Sequence, residues 1–507
     1  MIRDSKTLSI WQDVIPFVNL NESPNENDDF DAIIIGAGIT GLTTALSLQE
    51  RGKKCLILEA SNIGYGTTSA TTAHLNTVLD TPYNAVIKGF GEDNAQLLAQ
   101  GTKQAIALIK RNIDHYKINC DFEYKDGFLY AENEEQVKDL DDIYDGLQKV
   151  GLDVSPVDTI PVPVPFIKAI QFSGQAQFHP VNYLLALTEA FTEKGGIIKE
   201  HALVSKVEDK NGTQEVHTPD AVYKAASVVY ATHVPPGISI LSFKCAPYRT
   251  YLLGVTLNDE HQYPEALAYD CEEPYHYFRT VYLDDKKILL VGGNDHKTGH
   301  NENTEHIFTE LEAYIRKHYD VRTIDYKWSS QYYESADGLP YIGKYPGGNE
   351  HLYVATGYGG NGMIFGTLAG HIIADLIITG ESAYADLFAP SRLKLMASFK
   401  NMVTENADVA KHFIADRLSV EALEEFADLG KEEGRVVKYQ EKQIAIYKDE
   451  YGVLKALSPV CPHAGCIVSW NSAEKSWDCP CHGARYDTDG QLLNGPSVKP
   501  LKKIDIS

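Results

Sequence analysis

At 507 residues, 43% of them hydrophobic, the chain can bury sizeable cores and is long enough for roughly two to four domains. Basic side chains number 46 against 70 acidic ones, a formal net charge of −24, which argues against nucleic acid or an anionic membrane as main partner. The N-terminus lacks a basic segment followed by an apolar run, and the best apolar stretch, Met363–Thr379, is broken by Gly366, Gly370, His371 and Asp375, so a cytoplasmic protein without a transmembrane segment is expected.

Residues 1–29 read as an extension with polar ends and an apolar patch, Ile10, Trp11, Val14, Ile15 and Phe17, expected to pack in part on the body. Phe30–Ile35 reads as a short buried strand, followed by Gly36-Ala37-Gly38-Ile39-Thr40-Gly41, a helix to about Arg51, and a second strand, Lys54–Leu58. In this βαβ opening Gly36 allows the tight turn, Gly38 lets backbone approach a pyrophosphate, and Gly41 lets helix and strand pack closely. Glu59, at the end of the second strand, can accept hydrogen bonds from a ribose. A dinucleotide is therefore expected on the helix N-terminus.

Residues 92–117, 132–150, Val181–Lys194 and Glu305–His318 look helical, while 245–330 is otherwise strand-rich. Val354–Thr379 repeats the strand, glycine loop and helix pattern, and Gly357–Gly362 again fits GxGxxG. No second strand follows it, because His371–Thr379 continues the helix, which disfavours a separate NAD site. A charged, mostly helical stretch leads to a compact β-rich tail from Gly430. Cys55, Cys120, Cys245 and Cys271 are scattered, whereas Cys461, Cys466, Cys479 and Cys481 crowd together and point to metal before structural disulfides.

Gly64-Tyr65-Gly66-Thr67-Thr68-Ser69, the central stretch from Gly174 to Val204, Ala226–Thr232 and Asp337-Gly338-Leu339-Pro340-Tyr341-Ile342-Gly343 occur in the order seen in the glycine oxidase and D-amino-acid oxidase superfamily. The resemblance spans about 30 to 392 and implies an α/β, Rossmann-like FAD-binding domain of the glutathione-reductase type with a β-rich substrate subdomain. It implies Thr67 and Thr68 in a second phosphate loop, Val204 backbone at the adenine, and Gly343 near the flavin. It also implies that the loop bearing Gly359, Gly360 and Gly362 aims backbone N–H groups and a helix N-terminus at the flavin pyrimidine. Where relatives tether flavin covalently, this chain has Ser329-Ser330-Gln331 and Ala70, so non-covalent FAD is expected. Arg249, Tyr251, His276, Tyr277 and Arg279 lie where the family builds its pocket; Arg249 or Arg279 could hold a substrate carboxylate. No catalytic acid or base is evident.

Cys461-Pro462-His463-Ala464-Gly465-Cys466 and Cys479-Pro480-Cys481-His482-Gly483 resemble the Rieske pattern CxHxGC…CPCHG. The resemblance implies a 2Fe–2S cluster in a small all-β domain, with Cys461 and Cys479 on one iron and His463 and His482 on the other. Zinc is the alternative for such spacing. The resemblance also implies a disulfide between Cys466 and Cys481, the alternative being two buried thiols. Ala484 stands where high-potential members place a serine, which removes one hydrogen bond to sulfide.

The expected organisation is an extension (1–29), a flavin domain (30–391), a helical linker (392–429) and a Rieske domain (430–507). The expected activity is oxidation of a small amine or amino acid, with electrons passing through the cluster to a one-electron carrier or quinone. The alternative is an electron-transfer module serving a separate oxygenase or partner protein. The charged linker suggests fixed docking, and a cut near Gly430 is expected to leave flavin reduction intact.

Overall fold

The computed structural model describes residues 5–12, 24, 28–283, 286–301, 303–392, 428–440 and 442–506. Strand Asp29–Ile35, apolar without a break from Ala32 onward, pairs in parallel with Cys55–Leu58 on one side and Val222–Tyr230 on the other. Burial on both faces explains the apolar run Ala32–Ile35. Ile197–Lys199 and Leu352–Thr356 extend this sheet, and Tyr341–Lys344 closes it antiparallel. Helix Ile39–Gln49 covers one face together with Pro180–Glu193 and Gly362–Thr379.

Gly362–Thr379 is the one described helix long and apolar enough to cross a membrane, yet it is a core helix. A Cβ at Gly366 would meet Ile39 at 2.7 Å, and one at Gly370 would meet Thr43 at 2.6 Å, so small residues let the two helices approach closely. The expected helices form as Glu92–Tyr116, Glu134–Lys149 and Thr304–His318. A further helix, Tyr83–Phe90, follows Pro82 and was not evident from the pattern.

The second sheet is mostly antiparallel, in the order Val321–Ser335, Cys245–Leu257, Lys286–Lys297, Tyr277–Leu283, Leu267–Asp270, Glu123–Ala131, Lys168–Gln177, His74–Leu75. Its alternating strands give one face to an internal cavity. The C-terminal unit holds a three-stranded sheet (Glu433–Tyr439, Lys442–Lys448, Leu454–Leu457) and a four-stranded one built from Ser469–Asn471 to Leu492–Asn494. Ile10 and Trp11 are buried on the body, as the apolar patch suggested; Val14, Ile15 and Phe17 lie outside the described residues, as does the stretch 393–427 of the expected linker.

Candidate functional site

The first glycine loop forms one end of a cavity of about 360 Å³. Gly36 has φ +108, and a Cβ there would sit 2.5 Å from the Ala231 carbonyl oxygen. A Cβ at Gly41 would overlap the Gly36 carbonyl. Helix Ile39–Gln49 has no side-chain cap at Gly38, which leaves first-turn N–H groups for an anion. Thr68 Oγ1 accepts the Ile39 N–H at 3.2 Å, tying the second phosphate loop to this turn. Glu59 accepts the N–H groups of Ala37 and Ser61, each at 2.8 Å, and keeps lone pairs for hydroxyls. Burial pushes its carboxyl pKa up. Thr67 and Val204 also line this cavity.

A second cavity, about 650 Å³, lies against the antiparallel sheet. Thr67, His233, Gly362 and Met363 line both spaces, so the two meet there. The shape fits an extended dinucleotide whose redox ring reaches this junction. Gly359 and Gly360 line the second cavity, but their amides are engaged within the protein. Gly359 donates to the Tyr333 carbonyl at 2.9 Å, and Gly360 donates to Asp80 Oδ2 at 2.6 Å. The helix end at Gly362–Met363 thus reaches the junction, rather than the two preceding amides. Gly343 lines neither cavity; a Cβ there would meet Pro390 at 3.3 Å, which makes it a packing residue. Its DGxPxIG segment is clamped by Arg392, whose guanidinium holds Asp337 at 2.6 and 2.7 Å.

Both arginine candidates are corrected. Along Cys245–Leu257, Tyr248, Thr250 and Leu252 face the second cavity, so Arg249 and Tyr251 fall on the opposite face. Arg249 is fully buried, with Nε on Ser329 Oγ at 2.7 Å. Arg279 is buried beneath the cavity, donating to the carbonyls of Thr72, Ala73 and Phe178 and lying 5.4 Å from the Trp11 ring. It pins backbone and does not line the cavity. His276 stacks on Tyr314 at 3.8 Å and bonds Asp270, whereas Tyr277 does face the cavity.

In the C-terminal unit, Cys461 N–H bonds the Cys466 carbonyl and Cys479 N–H bonds the Ala484 carbonyl, each at 2.8 Å, closing two tight loops. Cys466 and Cys481 are joined by a disulfide between these loops. Cys461 and Cys479 remain as buried thiols within reach of one another, and Cys461 Sγ lies 3.2 Å from the Tyr486 hydroxyl. The imidazoles of His463 and His482 lie 4.8 Å apart. His463 Nδ1 and both nitrogens of His482 are buried without a hydrogen-bond partner. Buried polar atoms normally find partners. Two thiols and two imidazoles with free nitrogens fit a 2Fe–2S cluster, with the disulfide taking the two remaining sulfurs out of contention.

This centre docks on the flavin domain. His463 Nε2 lies 3.1 Å from the Gly237 carbonyl, and Tyr333 donates its hydroxyl to the His482 carbonyl at 3.1 Å. Gln331 Nε2 donates to the Gly483 carbonyl at 2.9 Å, while its own carbonyl accepts from Thr67 Oγ1 at 2.7 Å. Leu492–Val498 lines the dinucleotide cavity from the C-terminal unit. A cut near Gly430 would therefore strip away part of that cavity, contrary to the expected intact flavin reduction. Nothing local in 492–498 marks this role; Asp80, His233 and Tyr333 were also missed, because each acts through a distant chain segment.

Such a chain is built as a redox protein, an oxidoreductase whose second centre docks beside its dinucleotide site. The family model for FAD dependent oxidoreductases matches residues 31–376, and the Rieske [2Fe-2S] domain matches 420–505. The chain belongs to the FAD dependent oxidoreductase family and carries a C-terminal Rieske domain. It is 32% identical over 483 residues to YhfW of Bacillus subtilis (strain 168), named as a Rieske 2Fe-2S iron-sulfur protein, covering 95% of this chain and 94% of that one. It is 26% identical to gamma-glutamylputrescine oxidoreductase of Escherichia coli (strain K12), over 74% of this chain and 88% of the relative. The fold is similar to glycine oxidase from Geobacillus kaustophilus, with a TM-score of 0.60 at 19% identity, covering 72% of this chain and 99% of that structure.

The side chains near the second cavity bear on flavin attachment. At the positions where relatives tether flavin, Ser329 and Gln331 are engaged in bonds to other residues, Ser330 and Ala70 line the cavity, and none of these four offers a thiol or imidazole. Acid precipitation should release all FAD into solution; yellow colour retained on the pellet would contradict this.

Proposed function

We propose that the protein is an amine or amino-acid dehydrogenase that passes electrons from FAD to its Rieske cluster and on to a one-electron carrier or quinone. The observation that carries this reading is the contact between the two sites. His233 lines both cavities and packs edge-on against Tyr333 at 4.8 Å, and Tyr333 bonds the His482 carbonyl. The cluster histidines are buried against this wall, His463 at 8% and His482 at 2% exposure, which supports transfer within the chain.

When bound, FAD supplies a two-electron acceptor for hydride from an amine-bearing carbon, leaving an imine for hydrolysis, and the cluster supplies a one-electron carrier. In this reading Gly36, Gly38, Gly41, Glu59, Thr67, Thr68 and Val204 hold the dinucleotide. Cys461, His463, Cys479 and His482 hold the cluster, and residues 392–429 link the two domains along the sequence. The relatives support the substrate class, since one is named for gamma-glutamylputrescine and a fold neighbour is titled a glycine oxidase. The four scattered thiols are unpaired, which fits a cytoplasmic site of action.

Anaerobic mixing with amines and amino acids tests the proposal. Flavin absorbance should bleach first, followed by the Rieske paramagnetic signal of the reduced cluster. Bleaching by NADH alone would instead support an electron-transfer module.

A further inference from the structure

The second cavity has an unusual charge balance for a pocket that would take an amino acid. Eight carboxylates line it, with no lysine or arginine among its described lining residues. Both arginines of the neighbouring strands are sequestered, Arg249 toward the Rieske domain and Arg279 on backbone carbonyls. An α-carboxylate entering here would meet repulsion and no bidentate partner.

Five of these carboxylates fall in two groups. Asp80 and Asp295 both face the cavity, Asp80 open to it and Asp295 half-buried, and the Asp80 charge disfavours that of Asp295. Asp295 accepts from the Tyr332 hydroxyl at 2.8 Å through Oδ2, while Oδ1 is buried with no hydrogen-bond partner. A buried carboxylate oxygen left unpaired is costly, and a cation placed against it would relieve that cost. Burial pushes the Asp295 carboxyl up to about 7. At the other end Asp139, Asp142 and Glu273 are exposed at the rim. Between the groups the wall is aromatic: Tyr248, Tyr269, Tyr275, Tyr277 and Tyr332 all line the cavity. Tyrosine faces and carboxylates together are the surroundings a protonated amine prefers.

We propose that this cavity selects a diamine or polyamine lacking a carboxylate beside the reacting carbon, one nitrogen held deep near Asp295 and a second, cationic nitrogen at the acidic rim. This rests on the dehydrogenase reading above and narrows its substrate class.

The test uses FAD-loaded full-length protein without oxygen, titrated with 1,4-diaminobutane, spermidine, butylamine, glycine and proline. In parallel, calorimetry follows binding of a bis-quaternary ammonium with a four-carbon spacer, which has no N–H to lose and cannot react. The diamine or spermidine should bleach the flavin at concentrations about tenfold or more below butylamine, and the amino acids should not bleach it. Asp295→Asn should weaken binding of the bis-quaternary ion about tenfold or more, with FAD content unchanged. Glu334→Gln, also on the cavity wall, serves if Asp295→Asn does not fold. Bleaching by glycine or proline but not by diamines would overturn the cation selectivity and leave amine and amino-acid oxidation standing. Bleaching by NADH alone would remove the dehydrogenase reading, and the calorimetry would then decide cation selectivity by itself: binding lost in Asp295→Asn supports it, and no binding overturns it.

Discussion

Replacing His482 with alanine is expected to erase the Rieske absorption and paramagnetic signals while leaving FAD content unchanged. Both ring nitrogens of His482 are buried and without a partner in the protein, so the substitution removes ligating capacity and breaks no side-chain hydrogen bond. The docking contact survives, because Tyr333 bonds the backbone carbonyl of His482, and Gln331 bonds that of Gly483. Flavin reduction by the amine should therefore continue. Turnover with a one-electron acceptor should fall steeply, because the two-to-one electron step loses its carrier. A point variant is a cleaner probe than truncation near Gly430, since Leu492–Val498 forms part of the dinucleotide cavity. An intact cluster spectrum would refute the ligand assignment. A lost spectrum with undiminished acceptor turnover would refute the route through the cluster.

What the sequence disclosed and what it hid divide along a physical line. Gly36, Gly41 and Glu59 act within one βαβ unit, so their spacing carries their role; the structure packs Gly36 and Gly41 against backbone and sets Glu59 at the same loop, on the Ala37 and Ser61 N–H groups. The two cysteine-histidine loops are equally local, and they bring Cys461 to Cys479 and His463 to His482. Arg249 was misread because a strand pattern shows the period of two without showing which phase faces the cavity. Tyr248 and Thr250 hold the cavity phase, and Arg249 holds the other. Arg279 shares its strand face with Tyr277 but lies two residues further along, where the carbonyls of Thr72, Ala73 and Phe178 accept from its guanidinium. The amides of Gly359 and Gly360 were assigned to the cofactor because nothing nearby in sequence reveals Tyr333 or Asp80 as their acceptors. Segment 492–498 is the extreme case, since it completes a cavity whose glycine loop lies more than four hundred residues earlier in the 507-residue chain.

Glu474→Ala should destabilise the docked arrangement by about 3–5 kcal/mol, the cost of leaving a buried charge uncompensated. Glu474 is 3% exposed and sits where three parts of the chain meet. Its carboxylate lies 3.6 Å from Arg249 Nη2 of the flavin domain, accepts the Ser329 hydroxyl, and accepts the Lys6 N–H at 2.9 Å and the Ser5 hydroxyl from the N-terminal extension. Arg249 itself is fully buried, and neither Nη1 nor Nη2 has a hydrogen bond, so Glu474 is its nearest neutralising charge. Close by, Asp478 and Arg485 form a second buried pair at 3.0 Å, and both arginines hold the Asp478 carboxyl below its ordinary range despite burial. Two positive and two negative groups thus balance at the seam, and removing one carboxylate leaves an excess of positive charge where water does not reach. Denaturant unfolding followed through flavin fluorescence and cluster absorbance should show earlier loss in Glu474→Ala. The double variant Arg249→Met with Glu474→Met should recover much of that loss, because it deletes both charges and keeps apolar volume. A single variant within about 0.5 kcal/mol of the unaltered protein would mean that the pair does not hold the Rieske domain to the flavin domain.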